Sequence, residues 1–108
     1  MNSYKAAFVI PASAKKNLDE YGWSFETEDR LQIEVLNILK KKFCLEVMEK
    51  YLGIEAYTGD GVKVNVTYDE SLMVKEIFIQ LRSVNVDELK NTFANLSPSV
   101  EVFIPSKL

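Results

Sequence analysis

The sequence predicts an α+β domain in which a four-stranded antiparallel sheet carries two helices on one face. Three observations lead there. From Gly61 to Arg82 the chain reads as a β-hairpin: Val62, Val64, Val66 and Tyr68 alternate with Lys63, Asn65 and Thr67, Asp69-Glu70-Ser71 supplies turn chemistry, and a β-branched and aromatic run from Met73 to Leu81 returns. Leu31, Val35, Ile38, Leu39 and Phe43 recur at steps of three and four, the spacing of one helix face. A second apolar stripe, Val86, Leu89, Phe93 and Leu96, follows the hairpin.

Taken in order, Tyr4 to Ile10 has the residue types and length of a strand, and Pro11 ends it because proline cannot donate to a sheet ladder. Ala14, Leu18 and Tyr21 sit at helical spacing before Gly22. Lys15 and Lys16 at the start and Asp19 and Glu20 at the end oppose the helix dipole, so this stretch is expected to be a short, weak helix or an ordered loop. Thr27 is the expected N-cap of the main helix, with Glu28 and Asp29 in its first turn and Lys40-Lys41-Lys42 at its negative end. Leu45, Met48 and Leu52 continue helical spacing on a different stripe, so the helix either breaks near Lys42 to Cys44 or bends, and Gly53 is its expected stop. Ile54 to Tyr57 is a brief apolar piece that either pairs with the hairpin or leads into it, and Thr58-Gly59-Asp60-Gly61 is a tight turn. Asn85 with Glu88 resembles a capping box for a helix from about Val86 to Asn95. Ser97-Pro98-Ser99 breaks that helix, and Val100 to Ile104 is the last strand.

Strand, helix, strand, strand, helix, strand is the order of the split β-α-β-β-α-β arrangement, and the chain resembles ferredoxin-like domains in that architecture. The 108 residues are expected to form a single domain, with an extra loop or short helix after the first strand. If Val62, Val64, Val66, Ile77, Ile79, Leu81, Val100, Val102 and Ile104 meet the helices, the opposite face carries Phe78, Gln80, Arg82 and Phe103 with polar neighbours. That face is a candidate interface or ligand surface, unless Trp23 and Phe25 fold over it.

Composition excludes several functions. Thirteen basic against sixteen acidic residues give a net charge of −3, so there is no general positive field for a phosphate backbone. Met73 to Ile79 also lacks the glycines and paired aromatics of an RNA-recognition strand, and nucleic acid is not the expected partner. With no histidine and one cysteine, the usual general base is missing and no zinc-finger spacing can be built. No serine has a histidine to activate it, and Cys44, between Phe43 and Leu45, is expected to be buried and inert. No metal, cofactor or catalytic residue is therefore assigned, and the chain is read as not an enzyme. No stretch approaches the roughly 20 apolar residues of a membrane span, and a lone cysteine fits the reducing cytoplasm.

Charge is uneven: Asn17 to Glu34 holds six acids against Arg30, and Asp60, Asp69 and Glu70 cluster at hairpin ends. The sequence thus suggests a non-catalytic protein-binding module, of the immunity or antitoxin type, that neutralises a basic partner such as a nuclease toxin. Its expected contact residues are Glu28, Asp29, Glu34, Asp60, Asp69 and Glu70. The alternative is a homodimer that binds a small ligand at the open sheet face.

Overall fold

The computed structural model describes residues 4–59, 61–82, 86–93 and 100–105, without the side chains of Tyr4, Arg82, Val86 and Asp87. Its elements are β1 (Tyr4–Pro11), β2 (Lys15–Asp19), β3 (Gly22–Glu26), α1 (Ile33–Phe43), β4 (Glu46–Tyr51), β5 (Ile54–Gly59), β6 (Val62–Tyr68), β7 (Val74–Arg82), α2 (Val86–Thr92) and β8 (Val100–Phe103). Six strands form one antiparallel sheet in the order β4-β5-β6-β7-β1-β8, and β2 and β3 form a second, two-stranded sheet. The expected four-stranded ferredoxin-like fold is therefore overturned: the molecule is mostly β, with two short helices. Asp60, Asn85, Leu96 and the Ser97-Pro98-Ser99 break lie outside the described residues.

Alternation along the central strands sets the layers. One face of the sheet presents Ala7, Val9, Val64, Val66, Ile77, Ile79 and Leu81 to Val35, Leu36 and Leu39 of α1 and to Leu89 and Phe93 at α2, all buried. Lys42 Nζ lies 2.7 Å from Glu88 Oε1 and ties the two helices together at their surface. The opposite face gathers Phe8, Ile10, Phe78 and Phe103 under Ala14, Trp23 and Phe25. Side chains of Ile77 or Leu39 size contribute about 1.5–3 kcal/mol each when fully buried, so the helix side holds most of the apolar stabilisation.

Two segments depart from the sequence expectation for reasons of solvent exposure. Residues Lys15–Glu26 form a hairpin, with Leu18 opposite Trp23 and Asp19 opposite Gly22, in place of a weak helix or loop. Asp19 Oδ1 accepts the Tyr21 N–H at 2.8 Å in its tip, and Gly22 adopts φ +111°. Only Trp23 and Phe25 are firmly engaged below, so the apolar spacing of Ala14, Leu18 and Tyr21 carries no buried helix face, and Leu18 and Tyr21 are exposed. Residues 45–59 form a second added hairpin, β4 to β5. All six residues of β4 are exposed and its register shifts between Val47 and Glu49, which removes the two-residue alternation that would have announced a strand. Gly53, expected to stop a helix, instead takes φ +80° in the turn between β4 and β5.

Helix α1 starts six residues later than Thr27 because the intervening loop is committed elsewhere. Leu31 N–H donates to the Val74 carbonyl at 2.9 Å and Arg30 Nη1 donates to the Thr27 and Asp29 carbonyls, which holds Thr27 to Leu31 against β7. Thr27 Oγ1 accepts the Asp29 N–H at 3.0 Å, a local turn rather than a helix cap. The helix closes at Cys44, which adopts a left-handed conformation (φ 52°, ψ 50°), while Leu45 N–H returns to the Lys40 carbonyl. Cys44 is exposed, so the expectation that its thiol is buried is also corrected. Just beyond, Gly59 is packed so tightly that a Cβ there would lie 2.5 Å from the Phe43 carbonyl oxygen. None of the helices among the described residues is long and apolar enough to cross a membrane.

Candidate functional site

The added β4–β5 hairpin extends the sheet past β6, where the end of α1 covers its helix-side face only in part. Glu55 and Tyr57, two apart on β5, point to that face opposite Val66 and Val64, and Tyr68 at the end of β6 joins them. Tyr57 Oη donates to Glu55 Oε1 at 3.0 Å, and Tyr68 Oη donates to the same oxygen in a short hydrogen bond. Lys50, directly across on β4, places Nζ 3.3 Å from Glu55 Oε2. Lys40 of α1 holds its ammonium 5.1 Å above the Tyr57 ring. Two clefts adjoin this cluster. One, of about 350 Å³, lies towards Leu45 and Val47; the other, of about 360 Å³, is lined by Tyr51, Ile54, Tyr68 and Leu72, and both share Lys50 and Glu55.

The electrostatics of the cluster run away from neutrality. The Tyr68 hydroxyl, aided by the Tyr57 hydroxyl and the Lys50 ammonium, holds the Glu55 carboxyl below the usual carboxylate range against the opposing effect of burial. Burial, followed by the neighbouring carboxylate, pushes both phenols up. A general acid or base works best with a pKa near the operating pH, and here the carboxylate stays charged while the tyrosines stay neutral. The arrangement is suited to holding the hairpin in place rather than to moving protons. Among the described residues, no three His, Cys, Asp or Glu side chains converge on a point that would suit a metal.

The residues expected to bind a partner divide by role. Asp69 is occupied: Oδ2 accepts Arg30 Nε at 2.8 Å, and Oδ1 accepts the Ser71 and Met73 N–H groups at 2.8 and 3.0 Å. Arg30 first, then the Met73 amide, holds its carboxyl below the usual range. Asp29 accepts a hydrogen bond from Ser13, whose hydroxyl also meets Thr27 Oγ1 at 2.7 Å. Glu28, Glu34 and Glu70 are exposed and form no ion pair among the described residues. The Arg30–Asp69 bridge and the Leu31–Val74 contact bring the loop bearing Glu28 and Asp29 beside the turn bearing Asp69 and Glu70, with Glu34 in the first turn of α1. Asp60 is not described. Its neighbours Gly59 and Gly61 lie at the opposite end of β6 from Tyr68, away from this group.

The sheet face read as a candidate interface is in part a second core. Trp23 packs 4.8 Å from Phe103 and Phe8 lies 4.9 Å from both Phe25 and Phe78, centroid to centroid. Lys16 closes the edge, 5.4 Å above Phe103 and paired with Glu101 at 2.9 Å. Gln80 remains exposed beyond this cover, beside Lys63 in a shallow cleft, and Arg82 ends β7.

Sequence reasoning missed Glu55, Tyr57, Tyr68 and the apolar tips beside them. A usable signal existed: Glu55 and Tyr57 share the two-residue spacing of a strand face, and a carboxylate on a core-facing position needs partners. At those tips, Leu52 is fully exposed and Leu72 is 78% exposed, and Leu72 adopts a left-handed φ of 64° that costs a non-glycine residue on the order of 1 kcal/mol. No protein-family model, curated protein or solved structure was found to match the chain.

Proposed function

We propose that the protein is a non-catalytic binding module that docks a basic protein partner through its acidic end, as an immunity- or antitoxin-type inhibitor of a nuclease would. The observation that carries this reading is the Arg30–Asp69 bridge. It fastens the loop before α1 to the β6–β7 turn, so Glu28, Glu34 and Glu70, which form no ion pair among the described residues, stand on neighbouring segments. Carboxylates held in this way gain specificity and encounter rate against a complementary positive surface. The outward pKa shifts of Glu55, Tyr57 and Tyr68 favour the same non-catalytic reading. A cytoplasmic setting goes with it, on the strength of the single free cysteine.

The homodimer alternative loses its main support, because the β2–β3 hairpin covers Phe78 and Phe103. The test is calorimetric titration with a basic nuclease domain at low and high salt. Binding that weakens with salt is expected, as is a loss of about tenfold or more when Glu28, Glu34 and Glu70 are all changed to Lys. Affinity for the nuclease domain that is indifferent to both salt and charge reversal overturns the proposal.

A further inference from the structure

We infer that the acidic end also holds an apolar anchor site, and that the partner inserts into it one aliphatic or aromatic side chain flanked by Lys or Arg. The inference rests on the proposed function and supplies its specificity. The Tyr68 N–H donates to the Gly53 carbonyl at 2.8 Å, which sets the β4–β5 tip beside the β6–β7 turn. Between these tips lies the cleft of about 360 Å³, with Tyr51, Ile54 and Leu72 on its walls and Glu55 and Tyr68 at its base. The space suits one large side chain.

Two observations point to an occupant from outside. Leu72 is 78% exposed in a left-handed conformation that glycine or asparagine adopts more cheaply, so its side chain gains little burial to offset that strain. Leu52, on the facing tip, is fully exposed. Charge then identifies the occupant. Arg30 and Lys50 are each paired with a carboxylate, whereas Glu28, Glu34 and Glu70 form no ion pair among the described residues, so the acidic end beside the cleft is negative even with Lys75 at the start of β7. An apolar centre inside a charged rim is the usual anatomy of a protein-binding surface.

The test uses amide chemical shifts of the whole chain during titration with three capped peptides: Lys-Lys-Leu-Phe-Lys-Lys, Lys-Lys-Ser-Gly-Lys-Lys and Glu-Glu-Leu-Phe-Glu-Glu. The first is expected to shift residues 51–54 and 68–73, to bind about tenfold more tightly than the second, and to lose that advantage in Leu72→Gly. This substitution relieves backbone strain, so the variant is expected to be at least as stable as the parent, and its loss of binding cannot be a loss of fold. The third peptide is expected not to bind. Equal affinity for the first two peptides, with shifts near Glu28 and Glu70, overturns the anchor while leaving the acidic docking end standing; no binding by either overturns both. A sedimentation coefficient that rises with protein concentration in the parent but not in Leu72→Gly overturns the inference in favour of a second copy as occupant.

Discussion

Glu55 is kept ionised by two phenols that are themselves kept neutral and by the Lys50 ammonium, and this gives the molecule a defined response to pH. Its carboxyl is held below the ordinary value of 4.5, so its contribution to stability is complete above that value and is lost as pH falls through the lower, folded-state pKa. The two phenols are pushed above their ordinary 10.0, so their contribution is complete below pH 10 and is lost as the solution becomes more alkaline than that. Changing Tyr68 to Phe removes the main donor to a partly buried carboxylate. The expected result is a loss of about 1.5 kcal/mol at neutral pH, measured by urea unfolding, with the acid-unfolding midpoint moved to higher pH. An unchanged acid midpoint in Tyr68→Phe would mean that the phenol does not hold the Glu55 charge. Glu76 responds in the opposite sense. Burial raises its carboxyl, only partly offset by Lys75, so its charged form opposes folding as pH rises through the carboxylate range. Glu76→Gln is accordingly expected to raise the urea midpoint at pH 7, with the gain vanishing under acid conditions that protonate the parent.

At the scale of elements, the end of α1 and the end of β5 are fitted against each other with no spare volume. Gly59 meets the Phe43 carbonyl, Leu45 and Val62 at 2.5, 2.9 and 3.0 Å from an added Cβ, and the first of these is backbone that cannot move without loosening the helix terminus. Gly59→Ala is therefore expected to destabilise by about 1–3 kcal/mol in chemical denaturation, and a neutral effect would show that the helix end yields easily. The elements legible in the sequence are those whose two faces differ. In β6, Val62, Val64 and Val66 are buried and Lys63 and Asn65 exposed, so alternation was plain; Val35 and Leu39 in α1 mark a helix face equally well. In β4 both faces meet solvent, and in β2 only a thin contact with the aromatic cluster exists, so composition there reflects surface rather than core. The acidic residues were visible in the sequence, but Arg30's choice of Asp69 across the fold was not. That choice separates the acid occupied inside the structure from those that form no ion pair among the described residues.

For the molecule as a whole, the β2–β3 hairpin is a small separate sheet held by rings rather than by a shared ladder. Two-stranded hairpins are marginal by themselves, so its order depends on Phe8, Phe78 and Phe103 beneath it. Phe103→Ala is expected to release it: the emission of Trp23 shifts to the red and trypsin cuts at Lys15 or Lys16, while circular dichroism of the main sheet persists. Loss of the main-sheet dichroism together with the red shift and the tryptic cut would show instead that hairpin and main sheet unfold as one. The position of β1 has a consequence for how the chain reaches this state. It is the first strand in order, yet it sits between β7 and β8, and so it waits for partners far along the chain. During synthesis on the ribosome both of its edges stay open, with Val9 and Ile10 unshielded, until β7 and β8 have emerged. Chains halted before that point are the ones most prone to aggregate, and the most in need of a chaperone.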